Sequence, residues 1–200
     1  MTTEPIVRRD LWPGDLGAIV RLHGNLYSRE YGLDSTFEGH VAASVSRAAI
    51  RGFPSERERI WLVEGVAGIQ GSLALTDEGD GEGTVRWFVL DPSLRGRGLG
   101  GRLVAELMQA ADDIGYDRLS LETFSELTVA ARIYRSHGFD LVWADPAPRW
   151  GRDEITYQRY EVQLKPSPDA VGSRRSDAQQ SDPFQRFAQL RSSRSAGSRA

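Results

Sequence analysis

The sequence lacks cysteine entirely and contains a single lysine, Lys165, among its 25 basic residues. Without cysteine the chain has no disulfide, no thiolate metal ligand and no cysteine nucleophile. No apolar run approaches the roughly 20 residues that span a bilayer. The first ten residues also lack the apolar core of a signal peptide. We therefore expect a cytoplasmic protein with no membrane partner.

Charge and metal ligands are also sparse. The net charge is −3, from 25 basic and 28 acidic residues, so no overall positive field attracts nucleic acid. The three histidines, His23, His40 and His137, are far apart in the sequence and predict no protein-bound metal. The preference for arginine over lysine is typical of bacterial sequences rich in G and C. We expect neither nucleic acid nor metal as a ligand.

The hydrophobic pattern predicts one folded domain over residues 1–165. A chain of 200 residues, 40% of them hydrophobic, can bury one substantial core. Residues 166–200 turn to Pro, Ser, Arg, Gln and Asp, a composition that predicts a disordered tail. Periodicity predicts a strand, two helices, three strands, a helix, a strand, a helix and two strands. This order indicates an α/β (α+β) sheet with helices on its faces.

Local signals predict where several elements begin and end. Residues 77–83 are acidic and rich in glycine, and residues 146–152 contain proline and glycine, so both are predicted loops. Thr123 and Glu126 have the spacing of a capping box, which predicts that a helix opens there and runs to His137.

A glycine-rich segment follows an apolar strand and precedes a long helix. The first amides of a helix lack intrahelical partners, and the helix dipole favours negative charge at that end. Glycines in such a loop let backbone amides approach a phosphate or pyrophosphate, and planar guanidinium groups suit phosphate oxygens. The glycines are Gly96, Gly98, Gly100 and Gly101, and the arginines are Arg95, Arg97 and Arg102.

Two other phosphate-binding motifs compete for this segment. A P-loop requires a lysine after its last glycine, and none is near. The dinucleotide fingerprint is matched literally by Gly96, Gly98 and Gly101, with Glu122 in the place of its acidic residue. However, residues 91–95 separate the strand from the first glycine, and too few residues follow Glu122 for a second βαβ half. The dinucleotide interpretation stays open as the weaker alternative.

Two motifs resemble those of the GNAT superfamily of N-acetyltransferases. The segment Arg95-x-x-Gly98-x-Gly100 is similar to its acetyl-CoA signature, and Ala130-x-x-x-Tyr134-x-x-x-Gly138-Phe139 is similar to its second motif. The resemblance implies a mixed, mostly antiparallel sheet of about seven strands flanked by about four helices. More narrowly, His23-Gly24-x-Leu26-Tyr27-x-x-Glu30-Tyr31-Gly32 resembles the acetyltransferase half of bacterial MarR-type regulator fusions.

The resemblance also implies roles for individual residues. Tyr134 would act as general acid toward the departing coenzyme thiolate. The backbone at the strand end would pair with the pantetheine arm, the amides of residues 95–101 would hold the pyrophosphate, and a small helix residue would let the coenzyme pass. The implied cofactor-binding residues are Phe88, Val89, Leu90, Arg95, Gly96, Arg97, Gly98, Leu99, Gly100, Gly101, Ala130 and Tyr134.

The general base is not supplied by the resemblance. Thr84 stands where some members carry a strand glutamate, and Leu127 stands where many carry an asparagine. His23, Glu30 and Tyr31 lie on the first helix, which lines the acceptor cleft in such folds, and we predict Glu30 as the base.

The predicted function is transfer of an acetyl or other short acyl group from acetyl-CoA to a primary amine, by direct attack. The amine would belong to a small molecule or a protein. One alternative is a module that senses acyl-CoA without turnover, and a weaker one is a dinucleotide-binding protein. The acidic residues 77–82 could attract a cationic amine, or simply be solvated. A homodimer through the closing strands is an open alternative to a monomer.

Overall fold

A computed structural model describes residues 5–164, which form one seven-stranded sheet with helices on both faces. Lys165 and the predicted tail, residues 166–200, lie outside the described residues. The strands are β1 (Ile6–Arg8), β2 (Arg59–Gly65), β3 (Gly68–Gly79), β4 (Glu82–Leu90), β5 (Arg118–Phe124), β6 (Asp140–Arg149) and β7 (Arg152–Gln163). The helices are α1 (Asp15–Tyr31), α2 (Ser35–Ile50), α3 (Leu99–Ile114) and α4 (Thr128–Ser136).

The strand order is β1-β2-β3-β4-β5-β7-β6, and only β4 and β5 pair in parallel. The connection between these two strands passes through α3, as a parallel pair requires. All other neighbours are antiparallel. This topology confirms the predicted fold of seven mostly antiparallel strands and four helices. It contradicts the doubly wound parallel sheet that a dinucleotide fingerprint would need.

Each face of the sheet carries its own core. On one face α3 buries Leu103, Leu107 and Ala111, and α4 adds Tyr134. On the other face, α1 and α2 bury apolar side chains such as Ile19 against the sheet. Helices on both faces leave the middle strands covered on each side, so a ligand reaches them only where neighbouring strands separate.

Two tight turns replace the predicted loops. Asp80 and Gly81 join β3 to β4 with φ values of 49° and 74°. The rest of the predicted loop, residues 77–79 and 82–83, belongs to these two strands. Trp150 and Gly151 join β6 to β7 with φ values of 53° and 79°. Positive φ at both central residues is the geometry of a two-residue hairpin turn. The signal was present at Asp80-Gly81, because an Asp-Gly pair between strands favours this turn.

Strand β6 contains two prolines because it lies at the edge of the sheet. Pro146 and Pro148 fall in the segment predicted as a loop, yet both belong to the strand. Proline cannot donate a ladder hydrogen bond, and an edge strand has one side on which no donor is needed.

A bulge at Trp87 opens the middle of the sheet. Trp87 has φ 50°, and the register between β3 and β4 shifts at this point. The buried Ser72 hydroxyl donates to the Trp87 carbonyl oxygen at 2.5 Å, which satisfies a backbone group that the bulge removes from regular pairing. The β4–β5 ladder ends at Val85 and Leu121. Beyond that pair the two strands separate.

The capping-box prediction for α4 is wrong. Thr123 is a buried residue of β5, and α4 begins at Thr128 with Leu127 as its N-cap and no side-chain cap. The chain therefore makes a short connection between β5 and α4, which leaves the helix N-terminus beside the gap between the strands. No helix among residues 5–164 is long and apolar enough to cross a membrane.

Candidate active site

The separation of β4 from β5 creates two connected depressions. The first, which we call the groove, has a volume of about 160 Å³ and lies between the ends of β4 and α1 and the start of α4. The second, the aromatic cavity, has a volume of about 110 Å³ and lies between α1, α2, the bulge of β4, the end of β5 and the β6–β7 turn. Tyr27, Phe88 and Leu127 line both, so the two depressions meet at these side chains.

The glycine-rich loop presents free backbone donors beside the groove. Gly96 and Gly98 have φ values of 76° and 78°, and Gly98 is the N-cap of α3. The first helical hydrogen bond runs from the Arg102 amide to the Gly98 carbonyl at 3.1 Å. Within the described residues, none of the amides of residues 96–101 donates a hydrogen bond. Such a row at a helix N-terminus suits an anion with several oxygens, such as a pyrophosphate.

Arg95 lies across the groove and not over the row of amides. Its Nε donates to the Leu90 carbonyl oxygen and its Nη1 to Glu30 Oε2, both at 2.8 Å. Glu30 and Arg95 both line the groove, and neither lines the aromatic cavity. Arg97 and Arg102 make no ion pair within residues 5–164, so their charges remain available at the loop.

The groove has one open strand edge. From Arg86 to Leu90, β4 keeps β3 on one side, while the opposite side has no paired strand within residues 5–164. Phe88, Val89 and Leu90 line the groove, as does Ala130 on α4. An extended ligand arm with amide groups can pair with such an edge as an added strand does. Of the predicted cofactor-binding residues, Phe88, Val89, Leu90, Arg95 and Ala130 line the groove and Tyr134 lines the aromatic cavity, whereas residues 96–101 line neither depression.

Tyr134 faces the aromatic cavity from α4. It is 5% exposed, and its hydroxyl makes no hydrogen bond within the described residues. Burial raises the pKa of Tyr134 well above its ordinary value, and the neighbouring Tyr27 and Tyr160 raise it further. The phenol therefore keeps its proton, and its O–H can donate a hydrogen bond to an anion that forms beside it.

Tyr27 is buried among aromatic rings where the two depressions meet. Its ring stacks on Phe37 with centroids 4.8 Å apart and on His23 at 5.6 Å. His23 Nδ1 donates to the Ile19 carbonyl oxygen at 2.8 Å, which leaves Nε2 as the acceptor nitrogen. Burial lowers the pKa of His23 to about 4, against the raising effect of the Ile19 carbonyl. His23 is therefore neutral near pH 7.

The aromatic cavity carries one carboxylate and one guanidinium. Glu122 on β5 and Arg86 on β4 are its only acidic and arginine lining residues in the described part of the chain. The Tyr157 hydroxyl donates to Glu122 Oε2 at 2.9 Å. His40 also lines the cavity, although the sequence assigned it to no site. The pKa of His40 is lowered to about 4, mainly by burial and then by the charges of Arg47, Arg86 and Arg149.

Several other sequence expectations fall outside both depressions. Thr84 is buried and its hydroxyl lies 3.1 Å from that of Ser120, so it replaces a strand glutamate with a packed polar pair. The acidic hairpin is neutralised by arginines, with Asp77 bound to Arg57 and Glu82 bound to two others. That hairpin therefore does not form a free anionic patch. Among residues 5–164, no cluster of three or more His, Asp or Glu side chains is suited to a metal ion.

The acetyltransferase (GNAT) family matches residues 26–139, a segment that includes the β4 bulge, the glycine-rich loop and Tyr134. This chain belongs to the acetyltransferase (GNAT) family. A curated relative, an uncharacterized N-acetyltransferase of Schizosaccharomyces pombe, is 34% identical over 74 residues. That match covers 36% of this chain and spans 42% of the relative's length.

Solved structures resemble this GNAT protein in fold. The protein yncA from Salmonella typhimurium, solved with its cofactor acetyl-CoA, has a TM-score of 0.59 at 18% identity. It covers 84% of this chain and 100% of its own. Spermidine N-acetyltransferase from Vibrio cholerae, solved with CoA and spermine, has a TM-score of 0.56 at 18% identity, covering 80% and 95%. At these identities the likeness concerns the fold.

Sequence reasoning missed the charged residues of the aromatic cavity in this GNAT protein. Glu122 had been considered only as part of the dinucleotide alternative, and neither Arg86 nor Tyr157 was singled out. The sequence did indicate that Glu122 lies near the end of a strand, on the face opposite to that of Leu119 and Leu121, because side chains alternate along a strand. Which face of the sheet that position meets depends on the separation of β4 from β5.

Proposed function

We propose that the protein is an N-acetyltransferase that transfers the acetyl group of acetyl-CoA to a primary amine. The supporting observation is the meeting of the groove and the aromatic cavity at Tyr27, Phe88 and Leu127. A donor in the groove and an acceptor in the aromatic cavity would bring their reacting atoms together there. Direct attack needs such a junction, because proximity and orientation supply much of the rate enhancement.

In this proposal the row of amides at residues 96–101 holds the pyrophosphate of acetyl-CoA. The pantetheine arm pairs with the open edge of β4 at residues 88–90 and passes Ala130, which lines the groove. The thioester then lies at the junction, within reach of Tyr134. Gly100 supports this arrangement, since a Cβ there would lie 3.1 Å from Ile133 Cδ1 and 3.3 Å from Phe88 Cζ.

The chemistry requires one bond to form and one to break. The ammonium first loses a proton, and the neutral nitrogen attacks the thioester carbonyl carbon to form the C–N bond. The nitrogen loses a second proton as the C–S bond breaks, and the leaving thiolate takes a proton from Tyr134. Solvent reprotonates Tyr134, so the products are the amide, free CoA and one net proton.

We propose Glu122 as the group that accepts the proton from the amine, directly or through one water. It is the carboxylate of the aromatic cavity, whereas Glu30 is paired with Arg95 in the groove. The earlier prediction of Glu30 as base remains untested, and the two carboxylates can be compared directly by substitution. The roles of Tyr134 as general acid and of the cofactor-binding residues are likewise proposals.

Calorimetric titration with acetyl-CoA, repeated with NAD, tests the cofactor. We expect micromolar binding of acetyl-CoA and at least roughly tenfold weaker binding to Gly98→Asp, whose side chain adds bulk and negative charge at the cradle. Gly14→Asp is the matched control, because Gly14 is also a helix N-cap with positive φ and no atom within 4 Å of its Cβ position. Tighter binding of NAD, or equal losses in both variants, would contradict the proposal.

A broad panel of amines separates the enzyme from a sensor. Release of CoA thiol can be followed with a thiol reagent without background, because the chain has no cysteine. Acetyl-CoA binding with no turnover of any amine would favour the acyl-CoA-sensing alternative. Several further expectations remain predictions: transfer of other acyl groups, a cytoplasmic location, the absence of nucleic-acid and membrane partners, a homodimer, and the resemblance to MarR fusions.

A further inference from the structure

Arg86 and Glu122 carry opposite charges on the wall of the aromatic cavity and make no ion pair with each other within the described residues. Val85 and Leu121 are the last paired residues of the β4–β5 ladder, and Arg86 and Glu122 are the next residue on each strand. Neighbouring paired strands lie about 4.8 Å apart, and these strands separate further beyond the last pair. No ion pair joins Arg86 to Glu122 within the described residues. The two charges thus face the same space without neutralising each other directly.

Arg86 is ion-paired with Glu78, but one of its guanidinium nitrogens has no partner within the described residues. Its Nε donates to Thr76 Oγ1 at 3.2 Å and its Nη2 to Glu78 Oε1 at 2.9 Å. Its Nη1 makes no hydrogen bond within residues 5–164. A guanidinium has five N–H donors in a fixed plane, so Thr76 and Glu78 orient the group while donors remain for a ligand. Its charge acts inside the cavity, because it helps to lower the pKa of His40 and opposes the rise that burial causes in the pKa of Tyr157.

Glu122 is held in a similar way. Tyr157 donates to Oε2 at 2.9 Å, and Oε1 makes no hydrogen bond within the described residues. Tyr157 in turn packs edge-to-face on Trp150, with ring centroids 5.6 Å apart. The carboxylate therefore has one fixed oxygen and one available oxygen. An ammonium group is the natural partner for the available oxygen.

We infer that the acceptor is a compact zwitterion of the α-amino acid class, whose ammonium group binds Glu122 and whose carboxylate binds Arg86. This inference rests on the proposed function. Two opposite charges on adjacent strands that separate match a ligand whose ammonium and carboxylate groups are both attached to one carbon atom. A simple amine would leave Arg86 Nη1 without a partner, and an acid without an amine could not accept the acetyl group.

The remaining wall of the cavity predicts the side chain of this amino acid. Phe37 and Trp150 pack with centroids 5.1 Å apart, and Phe124 lies beside Trp150 at 6.1 Å. Together with Val41 they offer an apolar surface next to the charged couple. We therefore expect an amino acid with an uncharged, apolar or aromatic side chain.

Two matched pairs of acceptors test this inference. Leucine is compared with 3-methylbutylamine, and phenylalanine with phenethylamine, so that each pair differs only in the carboxylate. We expect kcat/KM for at least one amino acid to exceed that of its decarboxylated partner by about tenfold or more, as expected for a charge-assisted contact. In Arg86→Gln this ratio should fall toward one. Arg21→Gln, which changes an exposed arginine that lines neither depression, should keep the wild-type ratio.

Failure of the inference differs from failure of the proposed function. If acetyl-CoA binds and the decarboxylated amines are turned over as well as the amino acids, the zwitterion assignment is overturned and the acetyltransferase proposal stands. If acetyl-CoA binds and none of the four acceptors is turned over, the assignment is also overturned. If acetyl-CoA does not bind to the folded protein, both fail. A ratio unchanged by Arg86→Gln would remove Arg86 from the binding site.

Discussion

The guanidinium of Arg95 lies 2.8 Å from the carboxylate of Glu30, Nη1 to Oε2, and connects the loop before α3 to the end of α1 across the groove. Both side chains are partly exposed, so this ion pair contributes less than about 1 kcal/mol to stability. Its main consequence is positional. Glu30 is directed toward the groove, whereas Glu122 belongs to the cavity in which an acceptor would bind.

Substitution of the two glutamates should therefore have unequal effects. We expect Glu122→Gln to lower kcat by about 100-fold or more, because removal of a general base typically costs that much. Glu30→Gln should lower kcat by less than about tenfold and should act mainly through acetyl-CoA binding. Steady-state kinetics across pH 6–9, together with calorimetry, distinguishes the two effects. A larger kcat loss in Glu30→Gln would restore Glu30 as the base.

Tyr134→Phe should reduce kcat by about 100-fold with little change in acetyl-CoA affinity, because it removes the proton donor but keeps the ring. The matched control is Tyr160→Phe. Tyr160 is fully buried next to Tyr134, but its hydroxyl contacts Arg135 and Gln158 and lines neither depression. The control should lose about 1 kcal/mol of stability and retain most of its activity. Equal activity losses in the two variants would indicate a structural role for Tyr134.

Two adjacent glycines at the start of α3 should respond differently to alanine. Gly101 has no atom within 4 Å of a Cβ, so Gly101→Ala should preserve stability or raise it by up to about 1 kcal/mol. In Gly100→Ala the new methyl group would press on Ile133 and Phe88, and we expect about 1 kcal/mol less stability than in Gly101→Ala. Urea denaturation measures this difference. Displaced Ile133 and Phe88 side chains should also weaken acetyl-CoA binding, since both line the groove.

The buried imidazole of His23 should make stability depend on pH. Burial lowers its pKa from 6.5 to about 4, so between these values the unfolded chain binds a proton that the folded chain does not. The free energy of unfolding should therefore fall as pH drops from 6.5 to 4. One such group contributes about 3 kcal/mol over that interval. His40 has the same direction of shift and adds to the fall.

Chemical denaturation at several pH values measures this effect. His23→Gln should flatten the pH dependence of the free energy of unfolding in this interval, whatever its effect on stability at neutral pH. His137→Gln is the matched control, because His137 is also bonded to the carbonyl four residues before it but is only partly buried. A slope that stays the same in His23→Gln would exclude His23 as its source.

Local patterns were enough to predict the glycine-rich loop and the helix that carries Ala130 and Tyr134. The glycine-rich loop acts through consecutive amides of one chain segment, and Ala130 and Tyr134 lie four residues apart on one helix. Groups contributed by a single short segment keep nearly the same geometry in any fold that contains it. The alternating and helical periodicities likewise predicted the element order, because each reports which side of an element is buried.

The lining of the aromatic cavity was decided by the tertiary structure. Arg86 and Glu122 are 36 residues apart, and they share a cavity only because β4 and β5 pair in parallel and then separate at the Trp87 bulge. That bulge depends on Ser72 of β3, whose hydroxyl satisfies the freed carbonyl. The Tyr157 bond to Glu122 depends further on the position of β7 between β5 and β6. The sequence by itself determined the segments and the loop that suits a pyrophosphate, whereas strand pairing and its interruption determined which side chains line the aromatic cavity. The physical reason is that hydrogen bonds along the chain follow local periodicity, while contacts between strands depend on a register that the whole sheet sets.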